Sequence, residues 1–225
     1  MKMRGRYERN APAISEREQS ILLQKRVLVA GCGGLGGYVI EFLGRTGVGY
    51  ITAVDGDLFE ESNLNRQLLA TPESIGKPKA QAARERLLTV NPDVKVNAVS
   101  RYISNVNAAE IISGHDVIVD SLDNGQTRLI LTAAARAAGI PLVSGAIGGW
   151  YGRVLVLYPD NNADFLWSSG SQQQAGNLCS TAACVASVQA SETIKILLGK
   201  PDILHGRMLD LNMLTATWEE IALDV

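Results

Sequence analysis

The stretch RVLVAGCGGLGGYVIEFLGRTGVGYITAVD, Arg26 to Asp55, decides the fold. RVLVAG is a continuous run of β-branched and aliphatic residues, the pattern of a strand buried on both faces. GLGGYVIEFLGRTGV then carries apolar residues at helical spacing, which predicts a helix packed through Leu35, Val39, Ile40 and Leu43. YITAVD, Tyr50 to Asp55, is the next strand. Strand, helix and strand in this order make a βαβ unit, with parallel strands and a right-handed crossover. Between the first strand and the helix lies GCGGLG, Gly31 to Gly36, with the spacing of a nucleotide-binding turn. Gly31 makes the turn, Gly33 and its neighbour Gly34 let backbone N–H groups approach a phosphate, and Gly36 lets the helix pack close. The unpaired N–H groups and dipole of the helix start favour an anion there. Asp55, at the end of the second strand, takes the ribose hydroxyls in this reading.

Working outward, Ser15 and Glu18 form a capping box that starts a short helix running to about Gln24, and everything before it reads as a polar arm. Downstream, KPKAQAARERLLTVN is a helix, VKVNAVS a strand, AAEIIS a short helix and DVIVDSLD, Asp116 to Asp123, a strand. The helix GQTRLILTAAARAAG and the strand IPLVSGA follow. This alternation predicts an α/β fold: a doubly wound, mostly parallel Rossmann-like sheet with helices on both faces. From Trp150 the pattern changes. YGRVLVLYP is a strand, the polar stretch Asp160 to Asn177 a loop, and CSTAACVASVQASETIKILLG a long helix rich in small residues. The chain ends in two short strands, with Leu209, Leu211, Trp218, Ile221 and Leu223 as their expected apolar side, pairing antiparallel with the Val154 to Tyr158 strand.

The 225 residues, 46% hydrophobic and 20% charged, describe an ordinary globular chain of one sizeable domain. A net charge of -2 gives no electrostatic reason to expect nucleic acid or an anionic membrane as the main partner. Three scattered cysteines, Cys32, Cys179 and Cys184, are too few for a disulfide framework and point to a reducing cytoplasm. The N-terminus lacks the apolar core of a signal peptide, and no run is long enough to span a bilayer as a helix.

The loop after the second strand carries the chemistry. VDGDLFEESNLNRQ, Val54 to Gln67, sets Asn63, Asn65, Arg66 and Gln67 near the phosphate end of the site. A dehydrogenase has no use for so many donors there, whereas attack on the α-phosphate of ATP does: negative charge grows on the phosphoryl oxygens and the departing pyrophosphate. Lys79, in GKPKA at a helix start, supplies a second cation. Asp123, at the carboxyl edge of the sheet, is a natural Mg²⁺ ligand, with a helix N-cap as its competing role; Asn124 fills that role equally well. Asp57 is a further acid near the ribose, and Asp120, inside its strand, reads as structural.

GCGGLG, VDGDLFEESNLNRQ, GKPKA and SLDN, in this order and spacing, resemble the ubiquitin-activating-enzyme-like superfamily, specifically the MoeB/ThiF/HesA group. The similarity covers nearly the whole chain. On this resemblance residues 1–225 form a single adenylation domain: 1–25 an N-terminal arm and helix, 26–149 the nucleotide-binding core, and 150–225 the crossover loop, long helix and C-terminal strands. The resemblance implies ATP and Mg²⁺, and adenylation of the C-terminal glycine of a ubiquitin-fold sulfur carrier, serving molybdopterin, thiamine or related biosynthesis. It assigns Gly31, Gly33, Gly34, Gly36 and Asp55 to adenosine, Asn63, Arg66, Gln67 and Lys79 to the phosphates and catalysis, and Asp123 to the metal. Arg9, in RYERN, falls on the arginine that crosses from one subunit into the other's active site, which implies a homodimer.

Two departures from the family pattern stand out. The paired CxxC motifs that bind structural zinc in many members are absent, so no zinc is expected. Where relatives that form covalent sulfur intermediates carry a cysteine in the crossover loop, this chain has Gln172. Cys179, the nearest thiol, has two readings: a thiol at a helix start, where the dipole favours the thiolate, or a small buried helix residue interchangeable with Ala; the second leaves adenylation without an enzyme–sulfur step. Trp150 and Trp167 bracket the loop, as covers for the site or as core contacts. Other readings remain: an NAD or FAD oxidoreductase, which leaves SNLNRQ without a purpose; adenylation of another acceptor, such as a tRNA base or peptide terminus; and a non-catalytic carrier- or nucleotide-binding scaffold.

Overall fold

The computed structural model describes residues 5–161 and 176–223. Its centre is one eight-stranded sheet in the order β3-β2-β1-β4-β5-β6-β7-β8. β1 (Arg26–Ala30), β2 (Tyr50–Val54), β3 (Lys95–Val99), β4 (Val117–Asp120) and β5 (Leu142–Gly148) run parallel. β6 (Tyr151–Leu157), β7 (Arg207–Asn212) and β8 (Thr217–Ala222) continue it antiparallel. Among the described residues the α-helices are α1 (Glu16–Leu22), α2 (Gly36–Thr46), α3 (Lys79–Val90), α4 (Ala108–Ile112), α5 (Gly125–Ala138) and α6 (Cys179–Leu198).

Strand alternation divides the core into two layers. Val27, Val29, Ile51, Ala53, Val117 and Val119 point to one face, under α1, α2, α3 and α6. Leu28, Ala30, Val54 and Ile118 point to the other, under α4 and α5. Leu35, Val39, Ile40 and Leu43 pack α2 into the first layer, as their spacing predicts, and Cys32 is buried with them. Gly152 of β6 lets α6 lie close on the sheet: a Cβ there would meet Val185 at 2.2 Å. Because β1 lies between β2 and β4, the crossovers leave it in opposite directions, and a crevice opens at its carboxyl end.

Three expectations are corrected. The strand read as Asp116 to Asp123 ends at Asp120, because the Asp120 carboxylate turns back to accept the N–H of Leu122 at 3.0 Å and ends the ladder. Asp123 therefore sits in the following loop. The C-terminal hairpin pairs with β6 as expected, Val154 opposite Leu209, but its apolar residues do not share one side. Trp218 lies opposite Leu211 and Ile221 opposite Met208, three positions apart and so on opposite faces, and they are 53% and 41% exposed. The N-terminal segment is more than a polar arm: Gly5–Asn10 is a 3-10 helix whose Tyr7 is 1% exposed. Asn91 donates to Tyr7 Oη and to the carbonyl of Gly44, both at 2.8 Å, and Asn10 and Gln19 donate to the carbonyl of Thr46. The segment is thus fastened to the carboxyl end of α2.

A buried polar cluster ties β4, β5 and α5 together. Ser144 Oγ donates to Asp120 Oδ2 at 2.6 Å, and Arg128 lies 3.5 Å from the same oxygen. The Arg128 guanidinium also donates to the carbonyls of Leu122 and Gly145. Removing one member of a buried ion pair strands the other charge away from water. Arg128→Met is therefore expected to lower folding stability by about 3 kcal/mol, read as a fall in the urea midpoint with an unchanged slope.

Candidate active site

The site is assembled where β1, β2 and β4 end. Gly31 has φ +91°, and a Cβ there would stand 2.7 Å from the carbonyl oxygen of Ser121. At Gly36 a Cβ would stand 1.8 Å from the carbonyl oxygen of Gly31, so the helix start lies directly on the turn and only glycine fits. Asp55 braces this turn from β2: Oδ2 accepts the N–H of Cys32 at 2.7 Å and Oδ1 accepts the N–H of Asp57 at 2.8 Å. Burial pushes the Asp55 carboxyl above its ordinary range, while these N–H groups and Lys79 oppose the shift. Each oxygen retains acceptor capacity for a ribose hydroxyl.

The polar loop folds back over the glycines. The backbone carbonyl of Asn63 accepts the N–H groups of both Arg66 and Gln67, and its side-chain oxygen accepts the N–H of Glu60 at 3.1 Å. Asn63 is thus the buried hub of the turn. A Cβ at Gly33 would lie 3.4 Å from Gln67 Nε2, and one at Gly34 would lie 3.8 Å from Arg66 Cγ. Gln67 is 6% exposed, and its Oε1 has no hydrogen-bond partner among the described residues. Arg66 donates to the carbonyl of Ser62 at 2.9 Å and to Asn65 Oδ1 at 3.0 Å, and Asn65 donates to the carbonyl of Asn177 just before α6. The loop therefore joins the glycine turn to the start of the long helix.

Lys79 opens α3 and is 7% exposed, so it is not a solvated surface charge. Its Nζ donates to Asp57 Oδ2 at 3.1 Å, and the hydroxyl of Tyr102 donates to Asp57 Oδ1 at 2.6 Å. The Tyr102 hydroxyl, then Lys79, hold the Asp57 carboxyl below its ordinary range. Asp57 is thus engaged with Lys79. Asp123 is exposed in the loop that Ser121 presses against Gly31, and Asn124 is the N-cap of α5, accepting the N–H of Thr127 at 3.0 Å. Arg9 is exposed in the segment anchored at the far end of α2 and is not brought to this chain's own crevice.

The expected small, buried Cys179 is instead exposed at the first position of α6, because Thr181 and Ala182 carry the buried side of that turn and Cys179 lies off it. Its Sγ lies 2.9 Å from Tyr38 Oη, and burial together with this thiol pushes the Tyr38 hydroxyl up to about 12. Gln172 and Trp167 lie outside the described residues, whereas Trp150 is half exposed beside β6. Sequence reasoning missed Tyr102 and Arg128. Tyr102 follows β3, and its place beside Asp57 depends on β3 pairing with β2, which no local pattern states.

These residues fit a nucleoside triphosphate: a turn whose Gly33 and Gly34 carry no side chains of their own, the Gln67 and Arg66 side chains lying over it, a Gln67 oxygen unpartnered among the described residues, and the buried Lys79 as a second cation. Among the described residues no group of three or more His, Cys, Asp or Glu could hold a metal ion. Mg²⁺ carried on phosphates needs only one or two carboxylates, and Asp123 offers one. A doubly wound sheet with this crevice defines the class of α/β domains that bind ligands at a topological switch point.

The chain belongs to the ThiF family, whose profile matches residues 7–224. It is 36% identical over 211 residues to the SAMP-activating enzyme E1 of Haloferax volcanii, covering 90% of this chain and 78% of that protein. To the sulfur carrier protein adenylyltransferase of Thermus thermophilus it is 36% identical, covering 96% and 86%. To the molybdopterin-synthase adenylyltransferase of Escherichia coli it is 32% identical, covering 91% and 86%. Among solved structures, E. coli MccB with ATP has the same fold at a TM-score of 0.83 and 20% identity, covering 98% of this chain and 72% of that one. PaaA has a TM-score of 0.79 at 22% identity, covering 92% and 66%.

The contact between Gly36 and Gly31 is the tightest test of the turn. Gly36→Ala is expected to push α2 off the turn and abolish measurable ATP binding in calorimetry. Gly139→Ala, at the carboxyl end of α5 with open space around it, is expected to leave ATP binding unchanged.

Proposed function

We propose that this protein uses ATP to adenylate the C-terminal glycine carboxylate of a ubiquitin-fold sulfur carrier ending in Gly-Gly, releasing pyrophosphate. The product feeds sulfur transfer in molybdopterin, thiamine or related biosynthesis. The names of the three relatives above support this reading, and one observation in the chain itself carries it: Arg66 and Gln67 lie against the glycine turn beside Asp55, with the buried Lys79 close by.

The carrier carboxylate is ionised at neutral pH and needs no strong general base. One of its oxygens attacks the α-phosphorus, the bond to the bridging oxygen of pyrophosphate breaks, and that oxygen leaves with the electron pair. Catalysis is then placement and charge. The glycine turn receives the phosphates, Asp55 holds the ribose, and Arg66 and Lys79 offset the charge that grows on the phosphoryl and leaving oxygens. Asp123 would hold Mg²⁺, which when bound supplies further charge compensation. Arg9 reaches the site of the other subunit in a homodimer; its anchorage away from its own crevice favours this arrangement over action within one chain. Three free cysteines are in keeping with a cytoplasmic protein.

The test is pyrophosphate exchange into ATP with Mg²⁺ and a ubiquitin-fold Gly-Gly carrier from the same genome. Exchange is expected to require the carrier and to fall about 100-fold or more in Arg66→Ala, the scale of a lost transition-state donor. It is expected to persist in Cys179→Ser. Carrier-independent or absent exchange with intact ATP binding would overturn the reading. Mixing Arg9→Ala with Arg66→Ala protein is expected to restore exchange, because the mixed dimer rebuilds one complete site; no restoration would place Arg9 outside a shared site.

A further inference from the structure

Lys79 is held from two sides of the loop that follows β2. Its Nζ donates to Asp57 Oδ2 at 3.1 Å, and its backbone N–H donates to the carbonyl of Asp57 at 3.0 Å. The second carboxylate oxygen, Oδ1, accepts the hydroxyl of Tyr102 at 2.6 Å. Tyr102 comes from a different element, the segment after β3, and it is 69% exposed, so apolar burial does not explain its place. Its ring lies across Gly56: a Cβ there would stand 2.6 Å from the ring carbons Cγ and Cδ1. The Gly56 position thus lacks a side chain where the tyrosine has to pass over to reach Asp57.

A carboxylate with a single partner turns about its terminal torsion. With Lys79 on one oxygen and Tyr102 on the other, the plane of Asp57 is set, and with it the position of the ammonium. An ammonium has three donors, so the Asp57 contact leaves capacity for anionic oxygens. The same loop carries Asp55 and the glycine brace, so the ammonium is registered against the nucleotide turn.

We infer that Tyr102 is a positioning residue which, through Asp57, fixes Lys79 for the phosphates of ATP. The inference rests on the reading of Lys79 as a phosphate-binding group, and nothing in it depends on which acceptor is adenylated.

Calorimetric titration of the full chain with MgATP and, separately, with adenosine tests it in the native protein, Tyr102→Phe, Lys79→Ala and the double variant. Adenosine offers nothing to Lys79, and Tyr102→Phe keeps the ring over Gly56 while removing only the hydroxyl. Tyr102→Phe is expected to weaken MgATP binding about five- to tenfold, in line with a lost charge-assisted hydrogen bond, with adenosine binding unchanged. In the Lys79→Ala background the same substitution is expected to do nothing further. Equal losses for adenosine and MgATP, or a loss that persists without Lys79, would mean that Tyr102 serves the base or the loop as a whole and would overturn the inference. Tighter MgATP binding in Tyr102→Phe would mean that Asp57 withholds Lys79, and would overturn it with the opposite sign. Native MgATP affinity in Lys79→Ala would remove the phosphate role of Lys79 itself. Failure of carrier-dependent exchange with these binding results intact would count against the acceptor alone.

Discussion

Two backbone N–H groups, those of Cys32 and Asp57, converge on the carboxylate of Asp55, and the carboxyl edge of the sheet is organised around that meeting. One donor belongs to the turn after β1 and the other to the loop after β2, so a single side chain fixes both relative to the strands. From there the order propagates: Asp57 carries Lys79, and the loop that continues past it brings Arg66 and Gln67 back over the glycines. A carboxylate in this position is costly to bury, and its ordinary pKa is raised accordingly. The donors around it offset that cost and make the geometry specific.

On the other side of β1 a second acid does comparable work. Asp120 ends β4 with its carboxylate turned inward to Ser144, Arg128 and the N–H of Leu122. Asp55 and Asp120 thus flank the glycine turn from the two strands that neighbour β1. The first is partly open to a ligand; the second is sealed. The difference in surroundings, rather than in residue type, separates a ligand-facing acid from a structural one.

Much of this was legible in the chain. The β1–α2–β2 unit follows from periodicity, the glycine turn from spacing, and the buried face of α2 from Leu35, Val39, Ile40 and Leu43. Local patterns determine these features. The misreadings share a cause. The apolar pattern carries β4 on to Asp123, because hydrophobic alternation does not record where a side chain turns back on its own backbone. Apolar content alone groups Trp218 and Ile221 on one side, whereas parity along the strand separates them; a spacing of three residues reverses the face. Tyr7 and Tyr102 act through partners 84 and 45 residues away, Asn91 and Asp57, and only the strand order brings them together. The composition of α6 suits a core helix, yet composition is silent about which side of a turn faces the core: Thr181 and Ala182 are buried while Cys179 is exposed.

The anchorage of the N-terminal segment gives α2 an unusual mechanical status. Its first turn rests on Gly31, and its last is gripped by Asn10, Gln19 and Asn91, with Tyr7 stacked beneath Gly47. Eleven residues of helix make a strut of roughly 16 Å between these ends. A strut clamped at both ends cannot slide along its axis or swivel without breaking contacts at one of them. The nucleotide turn therefore inherits its rigidity from residues on the opposite rim of the molecule. Evolutionary drift at Tyr7 or Asn91 would be felt as slack in a loop neither residue touches.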